Sequence, residues 1–406
     1  MPSRERSRRR FLKATGAMGT VGLTGLAGCT GGSGGGGGGA GGGGNNSSGS
    51  GGEAEQEITI ATSYKIGDTK WYPLVQRSVK ENIETETDGR ISVTLAPGGQ
   101  LGVGTEIVKK VQNGTVEMGQ HSISNMTPYA SAVEALNFPY LAGGYSFKET
   151  NQRFVNLVTS DTWAEEVEQN IIGDGGLRPL FYFLVDPRTI GVRKGQDPVF
   201  VPDDMGNLKH RSGPTDILLK TWRTIGSSPN TIAWGETPTA LDEGAADSAY
   251  VAIQAWRVFG FDDIISHVSF INMVEDAQMY SINEQWFQSL STDLQEAVMR
   301  AGQQSLKDNL DALMASRKNS VDRLREAGVT FHELSKSEQD EWTNQVGYEN
   351  TELWRSEIEK FVGGMDRFER LAKAARESSD IEVPTHPTQA YEFGVREEGD
   401  PQNPQA

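Results

Sequence analysis

Between Pro238 and Pro384 the chain runs without a proline, and inside that window lies the pattern that most limits its fold. Leu294, Val298, Ala301, Leu306, Leu310, Leu313, Val321 and Leu324 recur at approximately helical spacing, and Gly328 supplies a stop signal. Thr292-x-x-Gln295 fits a capping box at the start. At a rise of about 1.5 Å per residue such a helix is on the order of 50 Å long. A single compact lobe is smaller than that, so the pattern predicts a strut lying across two lobes.

The residues ahead of the strut supply both. Regular structure begins at Glu57, with Ile58 and Ile60 in a first strand. Trp71 to Glu86 reads as a helix with Leu74, Val75, Val79 and Ile83 on one face. Ile91, Val93 and Leu95 alternate as a strand, and Thr105 to Asn113 forms a second helix stopped by Gly114. Val116 to Gly119 is the third strand. This β-α-β-α-β order predicts a parallel sheet with crossover helices, whose ligand loops lie beyond the carboxyl ends of the strands. Those loops are at Ser63-Tyr64, Gly98-Gly99 and Ser122–Ser124. From Pro187 the alternation repeats: a strand at Leu208–Arg211, a helix at Ile217–Ile225, a strand near Asn230–Trp234, a helix ending at Gly244, and a strand near Ala245–Tyr250. The expected fold class is therefore α/β with two similar lobes. Lobe I is expected at 57–186 plus about 277–316, lobe II at 187–276 plus about 317–380, and a polar tail at 381–406.

The N-terminus carries an address. Ser7-Arg8-Arg9-Arg10-Phe11-Leu12-Lys13 matches the twin-arginine export pattern, and the mildly apolar run from Ala14 to Ala27 is too short to span a bilayer. Leu26-Ala27-Gly28-Cys29 fits a lipobox, so 1–28 reads as a signal peptide and Cys29 as a lipid-modified cysteine on the outer face of the cell membrane. Cys29 is the only cysteine, which rules out an internal disulfide and a catalytic thiol. Residues 30–56 are almost entirely Gly, Ser, Asn and acid, a composition that reads as a flexible tether. Asn45, Asn46, Asn113 and Asn125 lie in glycosylation sequons, a weak signal.

The formal net charge is −17 over 406 residues. Cleavage after residue 28 removes six basic and one acidic residue, leaving 32 − 54 = −22. No basic patch remains to neutralise phosphates, so nucleic acid is excluded as a partner. An exported chain this acidic is consistent with a high-salt habitat and equally with plain solubility.

Eight motifs in order then carry a resemblance. They are Gly99-Gln-Leu-Gly102; Val111-Gln-Asn-Gly114-Thr-Val-Glu-Met118-Gly; Leu136-Asn-Phe138-Pro139-Tyr140-Leu141; and Pro202-Asp203-Asp204-Met-Gly-Asn-Leu208-Lys209-His-Arg211. Ile225-Gly226-Ser-Ser-Pro229, Ala240-Leu241-Asp-Glu-Gly244-Ala-Ala-Asp247, Trp286-Phe-Gln-Ser-Leu290-Ser-Thr-Asp-Leu294-Gln295 and Leu324-Arg-Glu-Ala-Gly328-Val329 complete the series. From Glu57 to Arg376 the chain resembles the binding proteins of TRAP transporters, the DctP-type dicarboxylate-binding family. The resemblance implies a periplasmic-binding-protein-like clamp that closes on a small organic acid and delivers it to the membrane permease subunits of an ion-coupled transporter. It also implies a long helix spanning both lobes, as the apolar spacing predicts.

Arg211 ends a predicted strand within the Leu-Lys-x-Arg motif, and its planar guanidinium matches a carboxylate with paired donors. Arg188, after Val185-Asp-Pro187, is the second candidate, with Arg193 competing for the same role. Asp247 fits the family's Gly-x-x-Asp turn and either holds a hinge or meets a substrate hydroxyl. Ser248-Ala249-Tyr250-Val251 departs from the common pattern there, so Tyr250 offers an aromatic wall and one hydroxyl. Ser122 and Ser124 follow the third strand, and Tyr64 and Trp234 line the cleft or simply pack in the core. His121 and His210 flank candidate sites, but no His/Asp/Glu spacing matches a transition-metal site, and the sequence implies no cofactor.

Three other classes compete. A secreted α/β enzyme lacks a cysteine nucleophile, a serine elbow, an HExxH motif and a phosphate loop after a strand. A receptor presenting its ligand to a membrane sensor would use the same binding chemistry. A purely structural surface lipoprotein would bind no acid at all.

Overall fold

In the computed structural model the chain is described over residues 54–64 and 75–385. The twin-arginine stretch, Cys29, the Gly-rich tether up to residue 53, the start of the helix expected from Trp71, and the tail from 386 onward lie outside these residues, and Gln56, expected in the tether, already belongs to the first strand.

Strand β1 (Gln56–Thr62) turns Ile58 and Ile60 inward, as the alternation predicts. Helix α1 (Val75–Glu86) and strand β2 (Ile91–Ala96) follow. Helix α2 (Thr105–Gln112) buries Ile107, Val108 and Val111, and β3 (Met118–Ser122) completes the first crossover series. β1 pairs in parallel with both β2 and β3. After helix α3 (Phe147–Val158), β4 (Leu177–Phe183) is the far edge of a five-stranded sheet ordered β2-β1-β3-β10-β4, in which β10 is the later strand Gln278–Asn283.

The second sheet has six strands. β5 (Arg188–Arg193), β6 (Lys209–Ser212), β7 (Ser228–Thr231), β8 (Ser248–Ala252), β9 (Ile265–Phe270) and β11 (Thr330–Glu333) lie in the order β11-β9-β5-β8-β6-β7. Helices α4 (Asp216–Thr224), α5 (Thr237–Asp242) and α6 (Ile253–Val258) connect them. Strand β10 (Gln278–Asn283) then returns to the first sheet.

One rule explains which strands are antiparallel. β5 and β10 are the strands that arrive from the other lobe, and each opposes its neighbours: β5 against β8 and β9, β10 against β3 and β4. A chain that leaves one sheet at its carboxyl edge enters the other at the facing edge and must run away from the gap. The gap is therefore lined by the carboxyl ends of β1, β3, β6 and β8 and by the amino ends of β5 and β10. The two crossing segments touch through a bridge between Pro187 and Glu275.

The strut is helix α7 (Thr292–Glu326), 35 residues long. It packs on α1 and β4 of the first lobe and on α6 of the second, so it spans both. Asn309 anchors it to the crossing: its Oδ1 accepts from Leu184 N and its Nδ2 donates to Leu184 O, both at 2.8 Å. The helix ends at Ala327 and Gly328, where φ reaches +89°. The capping box at its start is corrected. Ser291 is the N-cap and makes no side-chain cap bond, while Gln295 reaches back to Phe287 O and Leu290 O at 3.1 Å.

The C-terminal helices divide. Helix α8 (Lys336–Val346) packs on the second lobe, where Trp342 Nε1 donates to Phe200 O. Helices α9 (Thr351–Val362) and α10 (Met365–Ala374) instead pack on α3 and on the 3-10 helix Ser131–Asn137. That differs from the expectation that 317–380 stays with lobe II. Phe138 explains it: its ring meets Trp354 at 5.7 Å and Phe368 at 4.7 Å, drawing both helices onto the first lobe.

Candidate functional site

Arg211 is the third residue of β6, whose parallel neighbour β7 leads directly to Ile232 and Trp234. That adjacency fixes the side chain. Arg211 Nε donates to Ile232 O at 3.1 Å, and its guanidinium lies 5.3 Å from the Trp234 ring centroid. The two terminal nitrogens have no hydrogen-bond partner among the described residues, although Arg211 is only 9% exposed. Burial, then the nearby Arg188, pulls its pKa down to about 10, with Asp276 and Tyr64 acting in the opposite direction. The group therefore stays cationic at neutral pH. An anchored, desolvated and unpaired fork has the geometry to pair with a planar acceptor.

Arg188 opens β5 at the edge facing the gap. Its Nη2 donates to Asp276 Oδ1 at 3.0 Å and lies 3.5 Å from Ser124 Oγ. Its Nε is buried without a partner among the described residues, and the guanidinium faces the Tyr250 ring at 5.9 Å. Asp276 also accepts from Ala252 N, so it is fixed from two sides. The pair Arg188–Asp276 is neutral in sum, which leaves Arg211 as the net charge of the site.

An aromatic row forms one wall. Tyr64, from the first lobe, meets Phe259 at 5.8 Å, and Phe259 meets Trp234 edge-on at 4.9 Å. The row joins the two lobes across the gap and ends beside Arg211. Ser124 is buried against Arg188, whereas Ser122 is half-buried and pairs in register with Gln278.

Two candidates are placed elsewhere. Asp247 precedes β8 at the edge away from the gap, where it accepts from Arg193 Nε at 3.0 Å, Gln196 Nε2 at 3.2 Å and Lys209 N at 3.1 Å. Strand direction separates it from Arg211, and it serves as a structural tie, as does Arg193. Tyr250 lies behind Arg188, with its hydroxyl accepting from Val274 N at 3.0 Å and its ring against Trp222. It sits on β8 and braces Arg188 against the crossing segment through the Val274 bond. His210 and His121 are packed: His210 Nδ1 meets Ser248 Oγ, His121 Nε2 meets Ser281 Oγ, and burial lowers both pKa values to about 3. No cluster of three or more His, Cys, Asp or Glu capable of holding a metal occurs among the described residues.

Asp276 and Phe259 were not singled out from the sequence. Asp276 is one acid among 55, in a crossing segment with no periodicity to mark it. Phe259 reads as ordinary core. Behind the site the crossing is braced by carboxylates. Glu275 Oε1 accepts from Val185 N and Asp186 N, and Asp186 accepts from Arg317 of the strut and from Gln254. Burial, only partly offset by Arg317, raises the Asp186 pKa to about 6.

Comparison with known proteins agrees with this architecture. The family profile DctP, described as bacterial extracellular solute-binding protein, family 7, matches residues 68–357. A solute-binding protein of Roseobacter denitrificans is 27% identical over 281 residues, covering 69% of this chain and 82% of its own length. Its crystal structure, a TRAP periplasmic solute-binding protein with bound L-galactonate, aligns with a TM-score of 0.64 at 24% identity, covering 76% of this chain and 98% of that one. A second TRAP protein from the same organism, with bound β-D-glucuronate, gives a TM-score of 0.68 at 16% identity, covering 80% of this chain and 100% of that one. The C4-dicarboxylate-binding periplasmic protein of Rhodobacter capsulatus is 22% identical over 267 residues, 65% of this chain and 76% of its own.

Proposed function

Because this chain belongs to the DctP family of bacterial extracellular solute-binding proteins, we propose that it captures a small organic carboxylate between its lobes, with Arg211 as the carboxylate receptor, and passes it to a TRAP-type ion-coupled permease. The observation that carries the reading is the Arg211 guanidinium, fixed through Nε and Trp234, with its two terminal nitrogens unpaired among the described residues. Arg188, on the same sheet as Arg211, and Ser124, from the first lobe, supply further donors. Tyr64 and Trp234, joined through Phe259, form the apolar wall, and Ser122 at the end of β3 is a further candidate hydroxyl. Asp247 and Tyr250 act on the scaffold of the second lobe and not on the ligand.

Charge counting narrows the ligand. With Arg188 matched by Asp276, one positive charge remains for the guest. A second ionised carboxylate would be buried beside Asp276 without its own counter-ion, which is costly in a desolvated site. The ligand class this favours is a hydroxylated monocarboxylate, a sugar acid, in keeping with the L-galactonate and β-D-glucuronate bound by two structural relatives.

The site is read as binding without turnover. We also infer that the twin-arginine-like stretch at Ser7–Lys13 directs export and that Cys29, in its lipobox-like setting, is lipidated and tethers the chain to the outer face of the cell membrane; no described helix is long and apolar enough to cross a membrane. Calorimetry tests the reading. Aldonates and uronates should bind the wild type, and a ligand at a hundredfold over its Kd should add about 2.7 kcal/mol of stability. Arg211→Ala should lose binding while unfolding as cooperatively as wild type. Unchanged affinity in that variant would remove Arg211 from the site.

A further inference from the structure

Helix α4 begins five residues after Arg211, and its N-terminus is left uncapped by its own sequence. Thr215 holds the N-cap position and is a residue type suited to it. Yet it makes no side-chain cap bond, and its Oγ1 is buried with no partner among the described residues. The first amide of the helix, Asp216 N, is satisfied from the opposite lobe: it donates to Glu134 Oε1 at 3.3 Å. Glu134 belongs to the 3-10 helix Ser131–Asn137 of the first lobe and is 2% exposed. Its Oε2 accepts from Asn137 Nδ2, which fixes the carboxyl group.

Other contacts surround this one. Thr127 Oγ1 approaches Pro214 O, and Gly213 packs beside Ser124, itself a neighbour of Arg188. Further along, α4 faces α9, which packs on the first lobe. Lys220 pairs with Glu357, and Lys360 pairs with Asp216, around a cavity of about 430 Å³. The exposed Lys360–Asp216 pair contributes little, while Lys220–Glu357 is half-buried. The buried carboxylate facing a helix N-terminus is the stronger element, because the amide and the helix dipole both favour an acceptor there.

We propose that Glu134 is the latch of the clamp, a positioning residue that caps α4 across the gap when the lobes close and thereby couples closure to the Arg211 loop. The proposal rests on the clamp reading above. It gives the loop Ser212–Thr215 two ends: one holds the ligand's carboxylate receptor, the other is held by the partner lobe. A ligand that orders Arg211 pre-positions the α4 N-terminus for Glu134, and an engaged Glu134 stiffens the loop that carries Arg211.

Burial raises the Glu134 pKa to about 7, against the hydrogen bonds from Asn137 Nδ2 and Asp216 N, which lower it. The charged groups facing it are the Asp216 carboxylate from α4, which pushes the value up, and the Lys360 ammonium from α9, which pushes it down. On this proposal the second lobe supplies that burial, so closure takes up a proton between the ordinary carboxylate range and pH 7. The latch therefore strengthens as pH falls from 8 to 5.5, by about tenfold for one full unit of that window.

Amide hydrogen exchange at Asp216 and Ile217 tests this without needing the physiological ligand. Protection, corrected for intrinsic exchange, should fall about fivefold in Glu134→Ala at pH 8, the size of one lost helix cap, and by a larger factor at pH 5.5, where the wild type alone gains from protonation of Glu134. Glu134→Gln keeps an acceptor and carries no charge. It should retain protection and lose the wild-type rise between pH 8 and pH 5.5. Equal protection in wild type and Glu134→Ala, or an undiminished pH response in Glu134→Gln, overturns the latch. A second arm adds L-galactonate. Greater protection of Asp216 in wild type and none in Arg211→Ala supports the coupling. Failure of the sugar acid to change any variant, with the Glu134→Ala effect intact, counts against the ligand reading and leaves the latch standing.

Discussion

Replacing Asp276 by Asn should convert the site from a monocarboxylate receptor into one that accepts dicarboxylates. Asp276 Oδ1 lies 3.0 Å from Arg188 Nη2, and the two side chains are 15% and 8% exposed. A ligand carboxylate bonded to the same guanidinium would lie roughly 5 Å from the Asp276 carboxylate. At an effective dielectric of about 20 the repulsion between two such charges is about 3 kcal/mol, or roughly two powers of ten in affinity. Asn keeps the shape and one acceptor for Ala252 N, so the backbone at the end of β8 stays in place. The change also strips Arg188 of its counter-ion, so the unliganded variant should be less stable by about 1–3 kcal/mol. Isothermal calorimetry with paired ligands, galactonate against galactarate, reads the outcome as a ratio of dissociation constants. The ratio should move toward the dicarboxylate by tenfold to a hundredfold, and the shift should shrink in high salt as screening grows. A ratio within twofold of wild type would show that Asp276 does not set the charge of the site.

Two further predictions concern the scaffold. Asn309→Leu leaves the buried Leu184 N–H and C=O without partners, so denaturant unfolding should show a loss of about 2–5 kcal/mol, and a loss below about 0.5 kcal/mol would refute the anchoring role. His210 has a folded pKa lowered by burial to about 3, against an ordinary value of 6.5. The unfolded chain therefore binds a proton that the native one refuses, and stability is lost as pH falls from 6.5 toward 3. Between pH 6 and pH 4 wild type should lose about 1.4 kcal/mol per pH unit more than His210→Gln; parallel slopes would contradict this.

The parts of this architecture legible in the sequence are those written by periodicity. The strut could be read because a proline-free run with apolar residues from Leu294 to Leu324 allows little else, and the structure gives Thr292–Glu326. The three parallel strands of the first sheet followed from alternation between Ile58 and Gly119. Arg211 was singled out by its motif, and the structure places it third of the four residues of β6. What escaped depends on direction and on long-range contact. Arg188 and Arg193 are five residues apart on one strand, so only the antiparallel course of β5 decides which faces the gap. Asp247 has the right motif at the wrong end of β8. Asp276 and Glu134 act through partners 88 and 82 residues away, Arg188 and Asp216, and nothing local marks an acid for that use. The crossing of α9 back to the first lobe is driven by Trp354 and Phe368 closing on Phe138, a contact that helical spacing alone does not reveal.

The most direct measurement is a crystal structure of the mature protein with a bound sugar acid such as L-galactonate. The account predicts the ligand carboxylate bidentate on the two terminal nitrogens of Arg211, hydroxyls toward Arg188 and Ser124, and the sugar chain along Tyr64 and Trp234. A ligand whose carboxylate sits on any other cation, with Arg211 left unpaired beside it, would contradict it.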